Sequence, residues 1–410
     1  MMPSTPYRLG GIVIVAAVAT ATLIGQQDRA TTSSPLSIEA LPSPAGPNSA
    51  QPQLSTSSRG LILSWIEREG PKASLRFAER TKAGWSAPRT VASGHDWFVN
   101  WADVPSVIRL SNGTLVGHWL QKSGADTYAY DVRLSYSKDD GKTWSPSFTP
   151  HTDGTKTEHG FASLFEMSGG GLGLVWLDGR AMKPGHGEHG GGAMSVRFAS
   201  FDANWKQTSE TLVDGQVCEC CPTTAVMTTD GPLAAFRNRS DEEMRDIHVS
   251  RFEKGKWTEP KAVHDDGWKI NACPVNGPML SASARNVALA WFHAKDNQGR
   301  AFVAFSGDAG RTFSEPIRLD DVSAIGRVDV ELIADGVAVA SWIEFANQRT
   351  EFKVRRVDRS GAKSPAVTVS NLAGGRASGY PRIARSGNEI VFAWTESVSG
   401  GSRVQTAIAR

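Results

Sequence analysis

Residues 137–144 read S-K-D-D-G-K-T-W, and residues 306–313 repeat the pattern as S-G-D-A-G-R-T-F. Both fit an S-x-D-x-G-x-T-aromatic box, which is a hairpin device with a physical mechanism. Asp139 and Asp308 are placed to accept hydrogen bonds from backbone N–H groups of a turn, while Gly141 and Gly310 supply the positive φ that the turn demands. Trp144 and Phe313 then plug the core beneath. The box specifies architecture more than chemistry, and its first use is as a ruler: the two copies lie 169 residues apart.

A second repeat shares that ruler. An apolar strand ending in an aromatic residue recurs at Trp65, Trp119, Trp176, Phe236, Trp291, Trp342 and Trp394, with spacings of 54, 57, 60, 55, 51 and 52 residues. Three such units separate the boxes. Each unit has one grammar: a first strand, a Gly or Asn turn, the aromatic-ended strand, a polar loop, a third strand running into a box or its remnant, and a short fourth strand. Residues 83–88 and 254–260 are such remnants. Four strands per unit at this period predict an all-β fold, a β-propeller of four antiparallel strands per blade. The count is seven blades, with six plus an irregular cap as the rival. The last unit ends after its third strand, and residues 36–41 form an unused extended segment whose pairing there would close the ring and remove an exposed edge.

The chain has 410 residues and a net charge of +2, which gives no pull toward nucleic acid. Residues 1–25 carry an uncharged apolar run after Arg8 and read as a secretory signal or N-terminal membrane tether. Residues 26–50 are rich in Ser, Thr, Pro, Ala and Gln and read as a flexible linker, leaving 51–410 for the propeller. These features place the folded part in the periplasm or outside the cell, as a monomer.

The boxes and blades resemble the sialidase (BNR, Asp-box) superfamily. Blade 2 carries the nearest match: D-V-P-S at 103–106, G-T-L at 113–115 and D-V-R-L at 131–134, then the box. The resemblance implies a glycan-directed, hydrolase-like protein. It also implies six blades, a Tyr nucleophile with a Glu partner, and three arginines clamping a sialic-acid carboxylate. Tyr380 is the candidate nucleophile, with Arg376 nearby. The chain departs from the pattern at Asp103, which stands where the family's first arginine is expected. A carboxylate there repels an acidic sugar, so sialoside cleavage itself is not what this chain predicts.

In a propeller, the N-terminal ends of the innermost strands and the loops between second and third strands open on one face. Residues assigned to that face are Trp101, Asp103, Glu158, His159, Asp178, Arg180, Arg237, Arg239, Arg327, Asp329 and Tyr380, with Cys218, Cys220, Cys221 and Cys273. This predicts a polar pocket at the channel mouth for a glycan or small anionic ligand. Asp103, Glu158 and Asp178 supply candidate acid/base carboxyls, and the arginines, Asp329 and Trp101 supply candidate contacts. The plain alternative is a set of inter-blade ion pairs and capped turns.

The cysteines fall at equivalent positions of blades 4 and 5, as V-C-E-C-C-P and N-A-C-P. In an exported protein a disulfide to Cys273 is the default. Two bonds would force a strained pair within C-x-C-C, so spare thiols remain. Thiolates select copper(I) or zinc, with His159, His186 and His189 as candidate co-ligands. Three functions stay open: a glycan-directed enzyme, a metal or thiol-redox protein, and a non-catalytic interaction scaffold.

Overall fold

The computed structural model describes residues 1, 3, 34–182 and 192–410. Seven antiparallel sheets are arranged around an axis, one per repeat. Their innermost strands are Ser49–Ser57, Ser106–Arg109, His159–Met167, Thr224–Thr228, Met279–Ser283, Ala324–Ala334 and Arg382–Ser386. The apolar run at 9–25 lies outside the described residues.

The recurrent aromatic explains the blade count. Each one is buried and belongs to a hydrophobic cluster shared with the preceding blade. Trp65 packs with blade 7, Trp119 with blade 1, Trp176 with blade 2 and Phe236 with blade 3. Trp291, Trp342 and Trp394 pack with blades 4, 5 and 6. One large ring per seam gives seven seams, which excludes six blades with a cap.

The ring closes through the chain's beginning. Ile38–Leu41 runs antiparallel to Gly401–Ala409, with Ile38 opposite Ala409 and Leu41 opposite Thr406. Thr406 Oγ1 donates to the Leu41 carbonyl at 2.7 Å. Leu36, Leu41 and Ala45 are buried, and Ser49 already belongs to the first inner strand. Residues 36–50, read from the sequence as part of a linker, therefore carry packed structure.

The two boxes fold identically. Ser137 Oγ donates to Asp139 Oδ1 at 2.8 Å, the Gly141 and Thr143 N–H groups bond Ser137 Oγ and Asp139 Oδ1, and Thr143 Oγ1 donates to Asp139 Oδ2 at 2.7 Å. Ser306, Asp308, Gly310 and Thr312 repeat every one of these bonds. Gly141 and Gly310 adopt φ of 80° and 79°. The Thr143 N–H and the hydroxyls of Thr143 and Ser137 hold the Asp139 carboxyl down to about 2.

Blade 2 is the exception. It has only Ser106–Arg109, Leu115–Lys122 and Tyr130–Ser137 as strands. Its fourth place is taken by a single bridge from Leu134 to Phe148, after which the chain runs along the seam to a parallel bridge between Tyr130 and Glu158.

Replacing a seam ring tests the architecture. Trp342, fully buried between blades 5 and 6, is predicted to cost about 3–5 kcal/mol as Trp342→Ala in urea unfolding. A loss below about 1 kcal/mol would contradict the seam-filling role.

Candidate functional site

The N-terminal end of the channel is closed, not concave. Trp101 of blade 2 stacks on Tyr380 of blade 7 at 5.9 Å and lies 4.5 Å from the Arg327 guanidinium of blade 6. These contacts cross the axis. Tyr380 is buried, and its hydroxyl donates to the Val275 carbonyl of the segment before blade 5. Burial pushes its phenol well above the ordinary value. A phenol so placed is a packing residue, which corrects its reading as a nucleophile. Arg327 donates to Ser378 Oγ and to the carbonyls of Gly375 and Gly379.

The cavity lies on the other side of this plug. It occupies the channel with a volume of about 530 Å³ and is lined by Asp103, Ser163, Thr224, Asp329 and Arg382. Its lining reaches Ser58 and Ser111, both exposed, at the turns after the first strands. The channel therefore opens on the face opposite to the expected one. Arg382, missed in the sequence, is its buried guanidinium. Its Nη1 donates only to Met279 Sδ at 3.3 Å, and its Nε has no partner. Asp329 accepts from the N–H groups of Val330 and Ile383, both at 2.9 Å, and so stitches blade 6 to blade 7.

Asp103 and Glu158 meet through a residue the sequence reading overlooked. The Tyr130 hydroxyl lies 2.7 Å from Glu158 Oε1 and 3.2 Å from Asp103 Oδ2. Asp103 is buried and its Oδ1 has no hydrogen-bond partner, whereas Glu158 is partly exposed at the seam between blades 2 and 3, outside the cavity lining. Burial raises the Asp103 carboxyl to about 7, against the Phe161 N–H and Tyr130, which lower it. Burial, with the charge of Asp103, raises Glu158 to about 8, against the Tyr130 hydrogen bond. The close approach needs glycine at 160, because a Cβ there would sit 2.1 Å from Asp103 Oδ2. The result is a chain of exchangeable protons from the seam between blades 2 and 3, through a phenol, to a carboxyl in the channel wall.

Asp178 is architectural. It accepts the Trp176 indole N–H at 2.9 Å and pairs with Arg180 Nε at 2.7 Å. Glu67 and Glu344 accept the indoles of Trp65 and Trp342 at the same offset of two residues. That repeated W-x-D/E was the overlooked signal. Burial raises the Asp178 carboxyl, but Arg180 overrides it and holds it below the ordinary value.

The other arginines are committed as well. Arg237 gives its guanidinium to the carbonyls of Asn276, Arg245 and Phe292, and Arg239 pairs with Glu219 and Glu243. Arg180 also pairs with Asp153 and Glu210. Arg376 is exposed at the turn before blade 7. No three of these converge on a common point, so the arginine clamp of the sialidase pattern is not built.

The four cysteines are free thiols, so the disulfide to Cys273 is not formed. Cys218 Sγ lies 3.2 Å from Cys221 Sγ and 3.7 Å from Cys220 Sγ, and Cys273 reaches Cys220. Burial raises the Cys218 thiol, but the neighbouring thiols and Arg245, whose Nη1 is 3.1 Å away, hold it well below its usual value. His159 is not their co-ligand: its ring faces His151, Asp131, Asp153 and Asp178. His186 and His189 lie outside the described residues.

No family model matches the chain, and no curated protein matches its sequence. Solved structures share its fold. A protein of unknown function from Dyadobacter fermentans DSM 18053 superposes with a TM-score of 0.52 at 12% identity, covering 92% of this chain and 98% of that one. The polysaccharide lyase Uly1 gives 0.52 at 11%, covering 88% and 89%. The Hadza microbial sialidase Hz136 gives 0.46 at 14%, covering 81% and 73%. With its boxes and seven antiparallel sheets, the chain has a seven-bladed Asp-box β-propeller fold.

The raised carboxyls predict a pH signature. Between about pH 4 and pH 8 the folded chain keeps protons that the unfolded chain releases, so these groups add stability at low pH and lose it as pH rises. Asp178 titrates below this window. Urea midpoints of Asp103→Asn are expected to fall less steeply with pH than those of the parent. Parallel curves would show that Asp103 is ionised throughout.

Proposed function

We propose that the protein is a glycan-cleaving enzyme of acid–base type, working in the channel with Asp103 as the reacting carboxyl. One observation carries the reading: a buried carboxyl in the cavity wall, raised to about 7, is connected through the Tyr130 hydroxyl to a second carboxyl at the seam between blades 2 and 3. A carboxyl at this value is protonated in a large fraction of molecules at neutral pH, as a general acid requires. Asp103 gives its proton to the glycosidic oxygen as the C–O bond breaks. A water adds to the anomeric carbon, and the proton that water releases returns to the Asp103 carboxylate, with Tyr130 and Glu158 as the reserve that exchanges with it. Arg382 supplies a cation against an acidic sugar, and the cavity admits one or two sugar units. That Uly1, with the same fold, is a polysaccharide lyase accords with a glycan in this channel.

The test is turnover on a panel of fluorogenic glycosides and acidic polysaccharides, read by reducing ends. Asp103→Asn is expected to lower kcat by about 10²–10⁴-fold. The parent's kcat/KM is expected to fall as pH rises through about 7, where the acid loses its proton. Absence of turnover on every substrate would remove the enzyme reading.

A second reading rests on the thiols. Three sulfurs whose mutual distances fall within 4.8 Å suit a soft ion such as copper(I) or zinc. Thiol titration and metal analysis of protein exported to an oxidising compartment test it. Four inert thiols without metal would end it.

A further inference from the structure

We propose that the four cysteines are a dithiol–disulfide exchange centre, which reduces a low-molecular-weight disulfide and keeps the new bond between buried Cys218 and Cys221. The centre rests on the thiol cluster of the second reading, with sulfur–sulfur chemistry in place of an ion. It stands whether or not the channel cleaves glycans.

The local fold brings one pair together. Cys218 and Cys221 have the C-x-x-C spacing. A turn at Glu219 and Cys220 joins the last strand of blade 3, Gln207–Val217, to the first of blade 4, Thr224–Thr228. It folds the ends of the motif toward each other, so that their sulfurs stand 3.2 Å apart. Both ends are pinned. The Cys218 N–H donates to the Arg237 carbonyl at 3.0 Å, and Cys221 Sγ accepts the Asn276 N–H at 3.4 Å. An S–S bond is about 2.0 Å long, so closure needs an approach of about 1.2 Å. A tetrahedral zinc, with Zn–S of about 2.3 Å, would instead hold its sulfurs about 3.8 Å apart.

The four sulfurs also form a graded path. Cys273 and Cys220 are partly exposed, while Cys218 and Cys221 are buried. Cys273 reaches Cys220, Cys220 lies 3.7 Å from Cys218, and Cys218 adjoins Cys221. The pair nearest to closure is thus the pair that solvent does not reach, and its exchange with solution passes through Cys220. Arg245 stands at the junction. Its Nη1 is 3.1 Å from Cys218 Sγ, and Glu219 and Glu243 hold the guanidinium in place. A cation beside this sulfur favours its thiolate, the form that attacks and departs in exchange.

The exchange balances step by step. The Cys220 thiolate attacks one sulfur of an external disulfide, R–S–S–R, and one R–S⁻ leaves. The Cys273 thiolate attacks Cys220 Sγ and expels the external thiolate's other half, leaving a Cys220–Cys273 bond. The Cys218 thiolate attacks the same Cys220 sulfur and releases Cys273. The Cys221 thiolate then attacks Cys218 Sγ and releases Cys220. Cys218 and Cys221 have lost two protons and two electrons, and the external disulfide has gained them as two thiols.

The test treats reduced, chelator-stripped parent protein with an equimolar amount of glutathione disulfide. Acid quenching, alkylation and mass mapping after cleavage at Glu219 follow. Two glutathione thiols are expected to be released per chain, and the free cysteines to fall from four to two, with Cys220 and Cys273 alkylated. Cys220→Ser is expected to retain one glutathione on Cys273, with Cys218 and Cys221 still reduced. Glutathione retained by the parent, a final bond between Cys220 and Cys273, or four unreacted thiols would overturn the centre. Metal analysis of the same protein after loading with Zn²⁺ separates it from the ion reading. Tightly held metal with no disulfide formed ends the exchange centre and leaves the metal site. A Cys218–Cys221 bond with no metal retained ends the metal site and supports the exchange centre.

Discussion

Seven sheets enclose a channel only while the ring stays closed, and closure rests on the pairing of Ile38–Leu41 with Gly401–Ala409. Without that strand, blade 7 would present an open edge beside blade 1. Closure also sets what meets across the axis. Trp101, Arg327 and Tyr380 come from blades 2, 6 and 7, and their stacking plugs one end of the channel. A single strand of four residues thus lies upstream of both the cavity and the face on which it opens.

Blade 2 shows how a gap in regular structure makes room for chemistry. Because its fourth strand is reduced to one bridge at Phe148, the following segment is free to bring His151, Asp153 and Glu158 along the seam with blade 3. Neighbouring residues of a strand point to opposite sides. Tyr130 and Asp131 therefore diverge, as do Glu158 and His159. One side carries the carboxyl–phenol–carboxyl chain, and the other carries the stacked histidines with their aspartates. Two buried polar clusters share one pair of strands without merging.

The architecture was legible because its requirement is local. Every seam needs a large ring, and each ring ends an apolar strand, so the blade count could be read from seven aromatics. The candidate site was only half legible. Asp103 and Glu158 stand at first-strand ends and could be placed from the repeat, but their link, Tyr130, comes from a third strand. Partners also stayed hidden. Arg237 looks like an anion contact until its donors are found on backbone carbonyls, which no sequence displays. Asp178 looked catalytic because it was read alone and not beside Glu67 and Glu344, which hold the same indole bond. The repeat also indicated the wrong face, since the bulk of Trp101 and Tyr380 at the axis depends on how all seven blades converge.

The protonated carboxyl at the seam is best tested by infrared difference spectroscopy between acidic and alkaline solutions, comparing the parent protein with Glu158→Gln. A carboxylic-acid band that persists at neutral pH, titrates near pH 8 and disappears in the variant is the predicted result. Superimposable spectra of parent and variant, with only carboxylate bands at neutral pH, would show that the seam holds no such proton.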